Sequence, residues 1–151
     1  MVPGRTNTLR LQADQPGVYR GQCTEYCGAA HALMAMEVVA SPQEQFDAWS
    51  ALQAQPAAQP SGAGWEAFAS SGCGACHSVR GTSANGLVGP DLTHLSSRQT
   101  IAAGILKNDP ATLRNFIRHA GQMKPGLRMP DYHRLPPESV DAIASWLESL
   151  R

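Results

Sequence analysis

Apolar positions change their spacing as the chain proceeds. Over residues 6–12, TNTLRLQ, they alternate loosely, with Leu9 and Leu11 on one face; QPGVYRG then supplies a turn at Pro16-Gly17 and a short strand. MAMEVVA, residues 34–40, is a second β-rich run, and together these segments predict the last strands of a small β-sandwich or barrel. From Ser41 the spacing lengthens. Ser41 is placed to cap a helix, Pro42 to occupy its first position and Glu44 to complete a capping box. The predicted helix, roughly 42–54, carries Phe46 and Trp49 three residues apart and Leu52 one turn on.

The stretch QAQPAAQPSGAG, residues 53–64, has no periodicity and is rich in Pro, Ala, Gln and Gly, so residues 55–61 read as a linker. The remainder of the chain is helical with long loops. A short helix carries Trp65 and Phe68, a second starts at Asp109-Pro110 and carries Leu113, Phe116 and Ile117, and a third comes after Pro136-Pro137. That last segment repeats Val140, Ile143, Ala144 and Leu147 at helical spacing. Residues 81–90 and 121–130 read as loops, and no internal repeat is visible. The expected architecture is two small modules, an incomplete all-β fragment with a trailing helix over 1–54 and an all-α unit over 62–151.

Composition narrows the classes. Apolar content of 42% and charged content of 16% suit a globular chain. Net charge is zero, but residues 1–55 hold three basic and five acidic side chains, while 62–151 hold nine basic and seven acidic. Neither balance makes the clustered basic face expected of a nucleic-acid binder. No run approaches the ~18–20 apolar residues of a membrane helix. MVPGRTNTLRLQ lacks the pattern of a secretory signal.

The cysteines carry the chemistry. CGACH, residues 73–77, has the spacing of a c-type haem attachment motif: Cys73 and Cys76 add to the two vinyl groups of one porphyrin, and His77 lies under the iron. A thioredoxin-type reading needs a strand-to-helix turn in an α/β sheet, and no parallel-strand pattern surrounds Cys73. CTEYCGAAHALM, residues 23–34, spaces Cys23, Cys27, His31 and Met34 as soft and borderline donors suited to copper. A closed zinc site would want four ligands where Cys23, Cys27 and His31 supply three, and a Cys23–Cys27 disulfide is the remaining alternative.

Residues 62–151 resemble class I cytochrome c, on CGACH and on GPDL at 89–92. The resemblance implies that the Pro90 carbonyl accepts the outer ring N–H of His77, and that Arg98 contacts a haem propionate. It implies a sixth ligand from a methionine before the last helix. Met123 in GQMKPG and Met129 in GLRMPDY compete, and the family's MP pattern points to Met129.

Residues 1–50 are similar to the copper A region of cytochrome c oxidase subunit II, on VPGRTN, GVYRGQCTEYCGAAHALM and MEVV. That family has a cupredoxin-like fold. The resemblance implies that Cys23 and Cys27 bridge two coppers. His31 and the Glu25 carbonyl then bind one copper, and Met34 the other. The family's second histidine, on an upstream strand, has no counterpart before His31, and its two N-terminal membrane helices are absent from this sequence. The chain is therefore expected to be the C-terminal part of a longer protein, with Met1 an internal residue. His94, His119 and His133 are read as surface or satisfied histidines, Met36 as strand core, Tyr26, Trp49, Trp65 and Trp146 as packing residues.

In this order, the two modules resemble oxidase subunit II with a fused cytochrome c. The implied function is electron transfer: haem c receives an electron from a soluble cytochrome c or a quinol-oxidising complex and passes it to dinuclear copper A. From there it reaches catalytic subunit I of a haem-copper oxidase, where oxygen is reduced. The implied place is the periplasmic face of a bacterial inner membrane, reached through the missing N-terminal helices. The alternative is a free-standing monohaem carrier with a non-functional copper segment.

Overall fold

The computed structural model describes residues 6–57 and 60–151. Residues 1–5, which hold most of VPGRTN, and 58–59 of the expected linker lie outside the described residues.

The N-terminal segment is built on one antiparallel pair, β1 (Gly17–Gln22) and β2 (Ala35–Ala40), in a register that sets Val18 opposite Val39 and Arg20 opposite Glu37. The cysteine loop and a single 3₁₀ turn at His31–Leu33 connect them. Residues 6–12 form no strand; Leu9 and Leu11 are exposed, because no strand among the described residues lies beside them to receive their alternation. Met36, expected in the strand core, is 56% exposed for the same reason. Next comes α1 (Gln43–Gln53), but its cap is Pro42 and Ser41 makes no capping hydrogen bond. None of its residues is buried, so Phe46, Trp49 and Leu52 stand in solvent rather than in a packed face.

The C-terminal module is held by α2 (Gly62–Ser70), α3 (Pro110–Met123) and α4 (Pro137–Glu148). α2 and α4 cross closely at Gly64, where a Cβ would collide with Ala142 and Trp146. Trp65 and Phe68 on α2 meet Trp146 on α4 with ring centroids 5.3 and 4.9 Å apart, a tilted arrangement that suits the aromatic quadrupole. The stripe Val140, Ile143, Ala144, Leu147 is buried as its spacing predicts. α3 is capped by Asp109, whose side chain accepts the Thr112 amide at 2.9 Å. The helix bends at His119 and runs on to Met123, three residues into the expected loop. The module is not wholly helical: β3 (Thr100–Ile101) and β4 (Leu106–Lys107) form a short antiparallel ladder.

The expected linker is not free. Ala57 is 6% exposed and donates its amide to Arg80 O at 2.9 Å. Arg80 reaches back to the carbonyls of Gln53 and Ala54, and buried His94 donates Nε2–H to Gln55 O at 3.0 Å. His94 is thus a buried positioning group rather than a surface histidine, although its Nδ1 has no partner.

Candidate functional site

Two constellations form. In the C-terminal module, a cavity of about 570 Å³ is lined by Cys73, Cys76, His77, Pro90, Arg98 and Met129, with mainly apolar walls. A smaller void of about 40 Å³ continues inward past Phe68 and Tyr132 and is lined again by Cys73, His77 and Met129. Met123, at the end of α3, lines neither. The CGACH segment is carried on a tight turn from Cys73 to Ala75, entered through Gly72 in the left-handed conformation (φ 75°), and the His77 amide donates to Cys73 O at 3.0 Å. Gly86 fits against this turn where a Cβ would lie 2.5 Å from Ala75 O.

His77 is oriented by one bond. Its Nδ1 lies 2.8 Å from Pro90 O. A carbonyl can only accept, so Nδ1 carries the proton and Nε2 keeps its lone pair for a ligand. Gly89 lets the loop close over the ring, since a Cβ there would sit 2.6 Å from His77 Cε1. Burial raises the Cys73 thiol above its ordinary value, and Tyr132 is raised chiefly by burial as well. Arg98 donates to Asp91 O and is exposed at the cavity rim. Burial works to raise Asp91, but hydrogen bonds from Thr93, with Arg80 and Arg98 nearby, outweigh it and hold the carboxyl low.

In the N-terminal segment, the ligating atoms of Cys23, Cys27 and His31 lie within 4.8 Å of one another. Cys27 Sγ stands 3.4 Å from Cys23 Sγ, 3.6 Å from His31 Nδ1 and 3.7 Å from Met34 Sδ, and Cys23 Sγ lies 3.2 Å from Glu25 O. Backbone bonds set this convergence: Cys23 donates to Met34 O at 3.1 Å, His31 to Gly28 O at 3.0 Å and Met34 to Ala30 O at 3.1 Å. The Cys27 thiol is raised, first by its hydrogen bond with Cys23. All four cysteines are unpaired thiols. Tyr26 is 75% exposed and meets the His31 ring at a centroid distance of 5.7 Å rather than packing in a core.

The first donor set fits the group its motif implies; the second fits a soft metal ion through Cys23, Cys27 and His31, with no second histidine beside them among the described residues. The first is an apolar slot with an imidazole lone pair and a thioether on its walls; the second is a convergent set of soft donors. Sequence patterns gave no sign of the role of Gly89 or of the main-chain joint between the modules. GPDL signals a glycine at 89, but not what its absent Cβ avoids.

Two family descriptions match different parts of the chain. The chain belongs to the cytochrome c family, which residues 61–151 match, and residues 1–41 match the periplasmic domain of cytochrome c oxidase subunit II. Its relatives include the cytochrome c oxidase subunit 2 of Alkalihalophilus pseudofirmus, 37% identical over 99% of this chain and 44% of that protein. The cytochrome c oxidase subunit 2 of a Bacillus species is 34% identical over 89% of this chain and 40% of that protein. The chain thus spans less than half the length of these curated relatives.

Proposed function

We propose that this chain is the electron-accepting part of a subunit II of a haem-copper oxidase. One observation carries the reading: two separate donor sets, one suited to a haem and one to soft metal ions, occur in a single chain whose parts match cytochrome c and the periplasmic domain of cytochrome c oxidase subunit II. When bound, haem c and copper would supply reversible one-electron chemistry.

The chain's own residues do the rest. Cys73 and Cys76 would hold the porphyrin through thioethers. His77, oriented by Pro90, would offer Nε2 to the iron, and Met129 would offer a thioether, a donor that raises a haem's reduction potential. Arg98, at the rim, faces a propionate. The apolar cavity walls exclude water. Cys23, Cys27, His31, Met34 and the Glu25 carbonyl are the donors this chain brings to copper. Electrons enter from a soluble cytochrome c or a quinol-oxidising complex and leave towards catalytic subunit I, where oxygen is reduced. Thioether formation places the chain on the extracytoplasmic face of a bacterial membrane. Among the described residues no helix is long and apolar enough to cross a membrane.

Expression in a host with haem-attachment machinery tests this. The expected product keeps its Soret absorption after acid-acetone extraction and takes up copper with strong visible charge-transfer absorption. Extractable pigment would overturn the haem assignment. Met129→Ala removes the methionine-to-iron charge-transfer band and Met123→Ala leaves it; the reverse result would move the ligand to Met123.

A further inference from the structure

The wall of the large cavity and the end of the cysteine loop are tied together by main chain. Ala102, Ala103 and Gly104 all line the cavity, and all three are left-handed, with φ of 57°, 65° and 76°. Left-handed alanines are uncommon and persist where surrounding contacts hold them. Here the corner turns two carbonyls outward. Ala103 O accepts the Ala35 amide at 2.9 Å, and Gly104 O accepts from the Arg20 guanidinium at 3.1 Å. Gly104 is buried against this junction; a Cβ there would lie 2.7 Å from Ala35 O. Ala35 is the residue directly after Met34, and it is 8% exposed.

A second approach lies near Gly126, where an added Cβ would meet Ala29 Cβ at 3.3 Å. Among the described residues no hydrogen bond crosses that approach. Electronic coupling decays less through covalent and hydrogen bonds than across such a gap.

With the two donor sets taken as the haem and copper sites of the proposed function, on which this inference rests, we propose that the Ala35 N–H···O=C Ala103 hydrogen bond is the electron bridge from the haem cavity to the copper loop. Ala102, Ala103 and Gly104 are its positioning residues. The step moves one electron: iron(II) is oxidised to iron(III), the copper pair is reduced by that electron, no bond forms or breaks and no proton moves. The route enters at the Ala103 carbonyl, crosses to the Ala35 nitrogen and reaches Met34 through one peptide link.

The test uses the full-length protein with both centres loaded, its haem reduced by a light-triggered donor and the reoxidation of haem tracked against copper absorption. Ala35→Pro deletes the bridging N–H at the first residue of β2, a position where proline is tolerated. Gly104→Ala forces the junction apart. Arg20→Ala removes the neighbouring tie without touching the bridge. The expected result is a several-fold slower haem-to-copper transfer in Ala35→Pro and Gly104→Ala, with both optical spectra and both potentials unchanged, and the parent rate in Arg20→Ala. In the chain without cofactors, the Ala35 amide exchanges slowly with solvent and loses that protection in Gly104→Ala. A parent rate in Ala35→Pro overturns the bridge, as does equal slowing in Arg20→Ala, which would make the joint purely mechanical. An unmodified protein with both centres assembled and no transfer between them would instead sink the functional reading itself.

Discussion

The two donor sets are built in opposite ways. Beside the C-terminal cavity, fifteen buried side chains among the described residues form one cluster, from Ala57 to Leu150. Among the described residues of the N-terminal segment, only Ala30 and Ala35 are buried apolar residues. Cys73, His77 and Met129 are therefore placed by a packed core, whereas Cys23, Cys27, His31 and Met34 are placed by a few backbone hydrogen bonds within one loop. A packed core fixes its site from many sides at once. A loop of this kind gains order from its ligand, because binding free energy becomes folding free energy there.

The largest effect that sharpens this contrast is on stability. Phe68 is 1% exposed and lies against both Trp65 and Trp146. Phe68→Ala is expected to cost about 3–5 kcal/mol, the range for truncating a buried aromatic. Val39, 54% exposed on the hairpin, should change stability by no more than about 0.5 kcal/mol when replaced by Ala. Urea unfolding monitored by tryptophan fluorescence compares them, and equal losses would mean that the hairpin has a core of its own.

The next effect is metal protection. At a free copper(I) concentration of about 100 Kd, the ligand term is worth about 2.7 kcal/mol. It should appear as slowed amide exchange confined to residues 23–35, with no change in α2 and α4. Cys27→Ser should abolish it. Protection spread evenly over both modules would break the distinction. A smaller effect is expected at Gly89, where a new Cβ presses on the His77 ring. Gly89→Ala should cost about 1–3 kcal/mol as overpacking and lower haem incorporation. Gly28→Ala, with nothing within 4 Å of its added Cβ, should leave haem incorporation unchanged.

Much of this arrangement was legible in the sequence because its signals are local. The stripe on α4 and the Asp109-Pro110 helix start each depend on spacing within one element, and each is realised. The spacing of Cys23, Cys27, His31 and Met34 likewise predicts their convergence. The failures involve absent or distant neighbours. Alternation at Leu9, Leu11 and Met36 predicts a buried face only if another strand covers it, and none among the described residues does. The linker reads as free from composition, yet its Ala57 amide donates to the Arg80 carbonyl and its Gln55 carbonyl accepts from His94, interactions that side-chain patterns do not encode. The left-handed alanines at 102 and 103 also leave no trace in sequence, since alanine ordinarily signals helix.

The smallest predicted effect compares two helix starts that looked alike. Ser41 and Asp109 both precede a proline at a helix start, but only Asp109 accepts a hydrogen bond from its helix, from the Thr112 amide. That bond lowers the Asp109 carboxyl below its ordinary 3.8, with Lys107 assisting. A depressed carboxylate stabilises the fold above its unfolded value, and the contribution disappears as pH falls through the folded value. Asp109→Ala should therefore lower the unfolding midpoint modestly at neutral pH, and the gap from the parent should close as the solution is acidified below 3.8. Ser41→Ala should match the parent at every pH. Urea midpoints measured from neutral pH down to acid decide it: a pH-independent gap for Asp109→Ala would mean that lost side-chain packing, rather than the charged cap, accounts for the change.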